Sequence, residues 1–463
     1  MNQEYSQTDT GEEHDDLDYE LDKRAVDAIL SAVEEGDQSR LNALLLPLHA
    51  ADIADLLEQI DDDERNDLIG LYGHGFDGDI LTELDESIRD EVIAVLSPEV
   101  LAGAVRDLDS DDVVDLLEDL DAAQQQTIMG ALEEGERQAV QRAMTYPEES
   151  AGRLMQREVV TAPTHWNVGE TIDFIRQSTT LPDQFYHVIL VDDQMHPVAF
   201  VSLGKLMSSA RTVLLADITD EGFRTIPVDQ DEGEVAYAFN QYHLISTPVV
   251  DASDRLVGMI TIDDAMSVLD DEAEEDIMRL AGVGEGSLTD PVIETTWQRL
   301  PWLAVNLVTA IMASLVIAQF EATIAQFVAL AVLMPIVASM GGNAGTQSLT
   351  VAVRAIATKD LTGSNVWRVI RREVLVGLIN GLIFALVMGV VGVVWFGSPA
   401  LGGIIAVAMV INLVIAGLAG TVIPVVLDKV GVDPALASGA FVTTVTDIVG
   451  FFAFLGLAAA VLL

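Results

Sequence analysis

The sequence predicts a multidomain protein: an all-α N-terminal domain of helical repeats, two α/β repeat units, and a domain of five transmembrane helices. The first observation is a sharp change in hydropathy and charge near residue 299. Residues 1–298 hold 16 Lys and Arg against 68 Asp and Glu, a formal charge of −52, whereas residues 299–463 hold 7 against 6, a charge of +1. The other two observations are internal repeats in the acidic part and long uncharged stretches in the remainder.

The overall charge of −51 and the absence of cysteine exclude several classes of function. So acidic a chain is a poor partner for nucleic acid, because phosphate groups would repel it. Without cysteine there is no disulfide, zinc–thiolate site or thiol catalysis. Self-repulsion of this size is tolerable where salt shortens the Debye length to about 3 Å at 1 M, so we expect a halophilic host.

The N-terminal part is predicted to be a short acidic tail followed by a stack of helices. Residues 1–23 are polar and acidic, which is typical of a disordered tail rather than of a cleaved signal peptide. Residues 24–145 place apolar residues at helical spacing. Within them Asp52–Leu57 recurs as Asp112–Leu117, 60 positions later, which indicates repeated short helices.

The next part contains two units with the same order of elements, predicted at residues 146–212 and 213–273. Leu190–Asp192 leads to a methionine 15 residues after the aspartate, as Val249–Asp251 does, at an offset of 59. Each unit reads as an extended segment, a helix, two apolar strands and a closing helix. This βαββα pattern, with a strong hairpin at Pro248–Ile260, resembles a tandem pair of cystathionine β-synthase-type (CBS) domains, which are regulatory modules and usually dimeric.

A very acidic stretch ends the second unit and leads toward the membrane. Six of the seven residues Asp270–Asp276 are acids. They either line a surface that divalent cations bridge when domains approach, or form an acidic face in contact with solvent. We predict a connecting helix over residues 274–299, between this stretch and the first span.

Five stretches are long and apolar enough to cross about 30 Å of hydrocarbon. They lie near residues 300–320, 323–353, 374–396, 401–427 and 435–463. With a cytosolic N-terminus, every basic residue of this region falls at a cytosolic connection, as the positive-inside rule requires. The sequence therefore predicts a multi-pass plasma-membrane protein with cytosolic N-terminal domains and its C-terminus outside.

Asp447 is the deeply placed acid of these stretches, near the middle of span five. A lone carboxylate there costs roughly 2.5 to 3.5 kcal/mol on insertion scales, so it is expected to face an ion path or a partner. A structural ion pair would need a central arginine or lysine, and the spans contain none. We therefore predict a group that meets a passing cation.

Span two carries the second unusual pattern, Pro335 followed by Gly341–Ser348. Proline and small residues loosen the backbone and allow close helix approach, so that polar groups can face a cavity. Asn343 and Gln347, four residues apart, share a helix face and are candidate pore-lining residues together with Gly342. Plain packing by small residues is the alternative interpretation.

Five helices make a thin wall for an aqueous pore, whereas a homodimer would bring two copies of Asp447 toward a two-fold axis. Facing carboxylates repel unless one is protonated or a cation lies between them. The available ligands are all oxygens, which suits a hard divalent cation. Magnesium sheds water reluctantly, so such a site would hold it through its waters.

The order of these parts, from about residue 24 to 463, resembles the MgtE magnesium transporter family. The motifs that carry the resemblance are Pro335 with Gly341–Ser348 and Thr443–Gly450 around Asp447. The resemblance implies a homodimeric magnesium-selective channel whose cytosolic half closes it when internal magnesium is plentiful. Asp447 matches the pore aspartate of the family and Thr443 the position whose carbonyl faces the ion. Gly439 stands where some members have asparagine.

For regulatory magnesium, the resemblance implies seven acids of the cytosolic part. They are Asp111, Asp115, Asp231, Asp264, Glu272, Glu275 and Asp276. Ser267 and His243 occupy positions where some members have acids, so the number of bound ions stays open. Some relatives bind ATP between the CBS repeats through an acid, and Lys205 stands at that position here, which leaves ATP binding open.

The expected function is passive Mg²⁺ uptake, closed by Mg²⁺ bound to the cytosolic domains. Oxygen ligands alone do not exclude Mn²⁺, Co²⁺ or Mg²⁺ export. A magnesium sensor that transports nothing is a further alternative. An intramembrane enzyme would need a second acid or a nucleophile at the depth of Asp447, and the spans offer neither, so no enzyme activity is expected.

Overall fold

The computed structural model describes residues 21–283 and 292–463, except for residues 107, 119, 121, 179, 180 and 183. The predicted acidic tail, up to residue 20, lies outside the described residues. The chain divides into two compact units between Val268 and Leu269. The first unit contains the helical domain and both α/β repeats, and the second contains the membrane helices.

The N-terminal domain is a stack of short helices, as predicted. Its described helices are α1 (Lys23–Glu34), α2 (Gln38–Leu45), α3 (Ala50–Gln59), α4 (Asp62–Tyr72), α5 (Asp79–Thr82), α6 (Glu86–Val95), α7 (Pro98–Arg106), α8 (Ser110–Glu118), α9 (Ala122–Ala131) and α10 (Glu134–Ala143). The repeated sequence lies on α3 and α8, where both copies bury four apolar residues at matching positions. The abundant aspartates cap these helices: Asp22, Asp37 and Asp61 each accept a hydrogen bond from a backbone N–H of the first turn.

A recurrent arginine holds successive helices of this stack together. Arg65 donates from Nε to the carbonyl of Leu57 at 2.8 Å, and Arg137 donates likewise to the carbonyl of Met129 at 2.7 Å. In each case the acceptor lies eight residues earlier, at the end of the preceding helix. The guanidinium therefore satisfies carbonyls that the helix end leaves without an intrahelical donor.

The α/β repeats have the predicted βαββα order. The first contains β1 (Thr161–Pro163), α12 (Val168–Gln177), β2 (His187–Val191), β3 (Pro197–Ser202) and α13 (Leu203–Ser208), after the short helix α11 (Ala151–Leu154). The second contains β4 (Ile226–Pro227), α14 (Glu232–Tyr242), β5 (Ser246–Val250), β6 (Leu256–Thr261) and α15 (Ile262–Ala281). In both three-stranded sheets the first strand is parallel to the second, which pairs antiparallel with the third.

The two repeats meet at equivalent positions. His187 opens β2 and Ser246 opens β5, 59 residues later, and the His187 ring nitrogen lies 2.7 Å from the Ser246 hydroxyl. Both side chains are buried, and burial lowers the pKa of His187 below its ordinary value. The hydrogen bond thus joins a neutral imidazole to a hydroxyl between the two sheets.

The membrane part contains five described helices long and apolar enough to span a bilayer, which agrees with the predicted number. Its helices are α16 (Val292–Ala318), α17 (Glu321–Gln326), α18 (Ala329–Ala357), α19 (Val366–Phe396), α20 (Pro399–Val430) and α21 (Pro434–Leu462). The short helix α17 was not expected: it separates residues 321–326 from span two, which begins at Ala329. Helix α20 is the central one, with 56% of its most apolar stretch buried.

The connecting helix predicted over residues 274–299 is not one continuous helix. Helix α15 ends at Ala281, Gly282 has a positive φ of 71°, and α16 begins at Val292. The N–H of Val283 donates to the carbonyl of Met278, the 6→1 hydrogen bond of a Schellman motif. Glycine at this position therefore stops the acidic helix. Residues 284–291 lie outside the described part of the chain.

Candidate cation path and acidic sites

Helix α20 brings its neighbours close through glycines. A Cβ at Gly417 on α20 would lie 2.6 Å from the carbonyl oxygen of Glu373 on α19. A Cβ at Gly420 would lie 2.6 Å from the carbonyl oxygen of Gly345 on α18. Helix backbones approach this closely only where side chains are absent or small. The small residues of span two therefore serve packing at Gly345, which was the alternative interpretation of that motif.

Asp447 stands apart from this packing. It is half-buried on α21, directly after Thr446, whose side chain is fully buried. Within the described part of the chain, its carboxylate makes no hydrogen bond and no ion pair. An acid in an apolar span that has no partner among the described residues fits the predicted contact with a cation.

The carbonyls one and two turns before Asp447 already accept hydrogen bonds from hydroxyls. The hydroxyl of Thr443 donates to the carbonyl of Gly439 at 2.9 Å, and that of Thr446 donates to the carbonyl of Thr443 at 3.0 Å. A carbonyl has two lone pairs, so these bonds compete with direct coordination of an ion. Contact through the water shell of the ion needs no rearrangement of these threonines.

The candidate lining residues of span two lie on a surface that the chain leaves uncovered. Asn343 and Gln347 are exposed, and Gly342 is half-buried with open space where a Cβ would lie. The amide of Asn343 donates to the Ser339 hydroxyl at 3.4 Å, a long and weak hydrogen bond. Since Thr443 on α21 is also exposed, a single chain does not enclose a path at these residues.

The end of helix α15 packs against the C-terminal half of span two and the N-terminal half of span five. Leu280 contacts an apolar cluster that includes Leu349 and Val353 of α18 and Val442 of α21. Its carbonyl oxygen lies 3.9 Å from the place where a Cβ of Gly439 would be. This helix end therefore sits beside one of the residues predicted to face the ion.

An arginine joins the same helix end to the start of span five. Arg279 forms ion pairs with Glu275 on its own helix and, at 2.8 Å, with Asp433, which caps α21. Asp276 lies near Asp433, and burial together with that like charge raises the pKa of Asp276 above its ordinary value. Glu275 and Asp276 were predicted as regulatory ligands, whereas Asp433 and Arg279 were missed.

A second group of acids lies between the N-terminal domain and the second α/β repeat. Asp111 is 8% exposed, and burial followed by the charges of Asp264 and Asp112 raises its pKa well above the ordinary value. Burial and then Asp264 raise the pKa of Asp112 to about 7. Burial raises the pKa of Asp264 to about 6, against two opposing hydrogen bonds from Thr261. Predicted residues Asp111 and Asp264 thus come together, and Asp112 was missed beside them.

The other predicted regulatory acids have different surroundings. Asp115 forms an ion pair at 2.9 Å with the buried Arg89. Asp231 caps α14 by accepting from the N–H of Glu234 at 3.1 Å, and Glu272 is exposed on α15. Within the described residues, no three His, Asp or Glu side chains form a ready-made metal site.

The position expected to bear on ATP binding is occupied by an ion pair. The ammonium of Lys205 lies 3.0 Å from the carboxylate of Asp220 and donates to the carbonyl of Thr219 at 2.9 Å. Asp220 also accepts from the N–H of Ser202 at 2.6 Å. A ribose hydroxyl entering here would meet a cation instead of a free carboxylate. Two further positions, His243 and Ser267, are ones where some family members have acids. His243 ends α14 with a positive φ of 53°, and the Ser267 hydroxyl donates to the carbonyl of Asp263.

Comparison with known proteins identifies the family of this arrangement. A family model described as the divalent cation transporter MgtE matches residues 334–457, the MgtE intracellular N domain matches residues 48–149, and the CBS domain matches residues 215–271. The magnesium transporter MgtE of Enterococcus faecalis is 35% identical over 319 residues, covering 69% of this chain and 70% of the relative. That of Thermus thermophilus is 30% identical over 446 residues, covering 95% and 98%. The chain belongs to the MgtE family.

Membership of the MgtE family confirms several predictions at once. The predicted multidomain fold holds, and the protein is a multi-pass membrane protein with cytosolic N-terminal domains. MgtE proteins are transporters, so the expectation of no enzyme activity is confirmed as well. Among solved structures, the cytosolic domain of the Mg²⁺ channel MgtE in complex with ATP is 27% identical, covers 52% of this chain and 99% of that one, and has a TM-score of 0.49.

Proposed function

We propose that this protein carries Mg²⁺ passively into the cell along a path at the axis of a homodimer, with Asp447 of each copy facing the ion. The observation that carries the proposal is the half-buried Asp447 carboxylate, which makes no hydrogen bond or ion pair with any described residue. The relatives from E. faecalis and T. thermophilus bear the name magnesium transporter. The membrane potential supplies the driving force, about 4.6 kcal/mol for a divalent cation at about 100 mV.

The homodimer is supported by the surfaces that the described residues of one chain leave open. Asn343, Gln347 and Thr443 are exposed at membrane depth, where uncovered polar groups facing lipid are unfavourable. A second copy would cover these surfaces and place a second Asp447 opposite the first. Two carboxylates then share one divalent cation, whose charge offsets both.

The ion is held through its water shell in this proposal. The Thr443 and Gly439 carbonyls are occupied by hydroxyl donors, which suits an ion that keeps its waters and disfavours one that must be stripped. Mg²⁺ retains water more strongly than larger divalent cations do. This favours Mg²⁺ over Ca²⁺, and flux measured with Mn²⁺ and Co²⁺ decides between the remaining candidates.

Closure by internal Mg²⁺ is proposed to act at two places. At Asp111, Asp112 and Asp264, carboxylates converge without an ion pair to any described residue, so a cation there would stabilise contact between the N-terminal domain and the second CBS repeat. At Asp276 and Asp433, a cation would strengthen the seat of helix α15 beside Gly439. The C-terminus is proposed to lie outside the cell, as the odd number of spans requires with cytosolic N-terminal domains.

Flux into proteoliposomes tests the transport proposal. Wild-type protein should admit Mg²⁺ down an imposed potential, and Asp447→Asn should abolish entry because the path loses its charge. Glu321→Gln, which removes an exposed acid at the start of α17, serves as the matched control and should retain flux. Equal flux through wild type and Asp447→Asn would exclude Asp447 from the path, and no flux through wild type would favour a non-transporting sensor.

The direction of transport and its regulation are tested in the same vesicles. Magnesium applied to the cytosolic face should suppress flux. Flux that requires an opposing Na⁺ or H⁺ gradient would indicate an exchanger that exports Mg²⁺. Addition of ATP without any change in flux or in the Mg²⁺ needed for closure is the expected result, given the Lys205–Asp220 ion pair.

A further inference from the structure

Asn412 is a completely buried polar residue in the middle of the central span, α20. Its amide nitrogen donates to the carbonyl of Val337 on α18 at 2.8 Å. Its side-chain oxygen is buried and accepts no hydrogen bond from any described residue. A buried acceptor left unpaired is unfavourable, and more so at the depth of a bilayer. An apolar residue of similar volume would avoid this penalty, so packing alone does not explain asparagine here.

Two glycines make room for this amide. Gly341 on α18 and Gly450 on α21 both face Asn412, and a Cβ at Gly450 would lie 2.8 Å from the amide nitrogen. At Gly341 a Cβ would overlap the amide outright. The Asn412 side chain therefore fills a hollow between the two helices that carry the candidate ion path.

The same contact fixes how α21 is turned about its axis. The buried side of α21 consists of Val442, Thr446 and Gly450, spaced four residues apart, of which the first two pack on Gly345 of α18. Asp447 follows Thr446 directly, so its direction is set by this buried side. With side chains about 5 to 6 Å from a helix axis, a turn of about 10° moves a carboxylate by about 1 Å.

We infer that Asn412 is a positioning residue for cation selectivity: it sets the rotation of α21, and thereby the distance between Asp447 and the ion, without touching the ion itself. The inference rests on the proposed transport function. Mg²⁺ and Ca²⁺ differ by only about 0.3 to 0.5 Å in their distances to oxygen ligands, including the bound waters through which Asp447 would contact the ion. A small rotation of α21 is thus enough to change which divalent cation the path accepts.

The test measures selectivity rather than flux alone. Gly450→Ala pushes a methyl group against the amide, and Asn412→Leu removes the hydrogen bond to Val337 with a side chain that branches at the same atom. Both should lower the ratio of Mg²⁺ to Ca²⁺ flux by about tenfold or more. Gly403→Ala on α20, where a Cβ would meet open space, is the control and should leave the ratio of Mg²⁺ to Ca²⁺ flux unchanged.

A compensating pair separates positioning from loss of fold. Asn412→Ser shortens the side chain, so Asn412→Ser combined with Gly450→Ala should recover selectivity that Gly450→Ala alone loses. Monodisperse protein by size-exclusion chromatography is required for every variant, and Asn412→Ser replaces Asn412→Leu if the latter fails this requirement. Wild-type selectivity in Gly450→Ala, or a loss of flux that is equal for both ions, overturns the inference. Absence of Mg²⁺ flux in wild type would instead refute the proposed function.

Discussion

The acidic contact among Asp111, Asp112 and Asp264 should open as pH rises in the absence of divalent cations. The pKa of Asp112 is raised from 3.8 to about 7 in the closed arrangement, and that of Asp264 to about 6. Between about pH 4 and pH 7, these acids therefore bind more protons when the contact is formed (the closed state) than when it is open. Its stability is full at pH below about 4 and falls as pH rises through about 7.

The size of the effect follows from the same shift. Each pKa unit corresponds to about 1.4 kcal/mol, so the roughly three units at Asp112 give about 4 kcal/mol, which is on the order of a thousandfold in the ratio of closed to open forms. The neighbouring acids share this repulsion, so their shifts do not add to it. In the proposed mechanism, Mg²⁺ would offset the same repulsion at high pH by supplying positive charge in place of protons.

Because the chain contains no cysteine, spin labels can be attached at chosen sites by introducing single cysteines. Spin labels on Asp67→Cys in the N-terminal domain and Asp254→Cys in the second CBS repeat, both exposed sites, report the distance between these domains in the full-length protein. We expect a narrow distance distribution at about pH 5 without metal, a broad one at about pH 8, and a narrow one again at about pH 8 with millimolar Mg²⁺.

A charge-neutral variant gives the decisive comparison. Asp112→Asn should make the distribution at about pH 8 without Mg²⁺ narrower than that of the parent protein, because it removes one of the three repelling charges that the proton or the metal otherwise offsets. Asp63→Asn, an exposed acid on α4, removes the same charge elsewhere and should behave like the parent protein. A distribution that ignores both pH and Asp112→Asn would refute the electrostatic account of closure.

Three further substitutions test other contacts. Arg279→Gln removes the cation between Glu275 and Asp433, so flux without internal Mg²⁺ should rise, and unchanged basal flux in proteoliposomes would contradict this role. Arg65→Ala leaves buried carbonyls of the helical stack without donors and should lower the stability of the full-length protein to denaturant by about 3 kcal/mol, against under about 1 kcal/mol for the exposed pair in Arg40→Ala. Gly417→Ala would force α19 away from α20 and reduce the yield of monodisperse protein, whereas Gly403→Ala should not; equal yields would argue against that close approach. Dialysis into low salt should unfold the cytosolic domains if the charge of −51 reflects a saline host, and circular dichroism indifferent to salt would contradict that origin.

The sequence predicts the architecture well because its signals are local or periodic. Five spans follow from length and apolarity, and the βαββα repeats follow from alternating patterns that recur at one offset. The helix end at Ala281 could have been predicted, since Gly282 is a helix-stop signal. The acidic run that precedes it was instead interpreted as the start of one long helix. Asp447 was equally accessible, because a single acid in an apolar stretch needs no tertiary information to be noticed.

The acidic sites were predictable only in part, because their composition depends on distant parts of the chain. Arg279 and Asp433 are 154 residues apart, and Asp433 on its own looks like an ordinary helix cap before a proline. Asp112 directly follows Asp111 in the sequence, and only its burial near Asp264 distinguishes it from the many exposed acids. The role inferred for Asn412 depends on its contacts with two glycines on two other helices, and no sequence pattern within α20 predicts those contacts.

The uncovered polar surface of α18 and α21 has a consequence for genetics. If two chains form each ion path, one defective chain inactivates the dimer that it joins. Cells that make wild-type and Asp447→Asn chains in equal amounts would keep about one quarter of their transport capacity, rather than half, because random pairing leaves about one pair in four intact. A mutant allele would then be dominant over the normal one, and gene dosage would report the symmetry of the assembly.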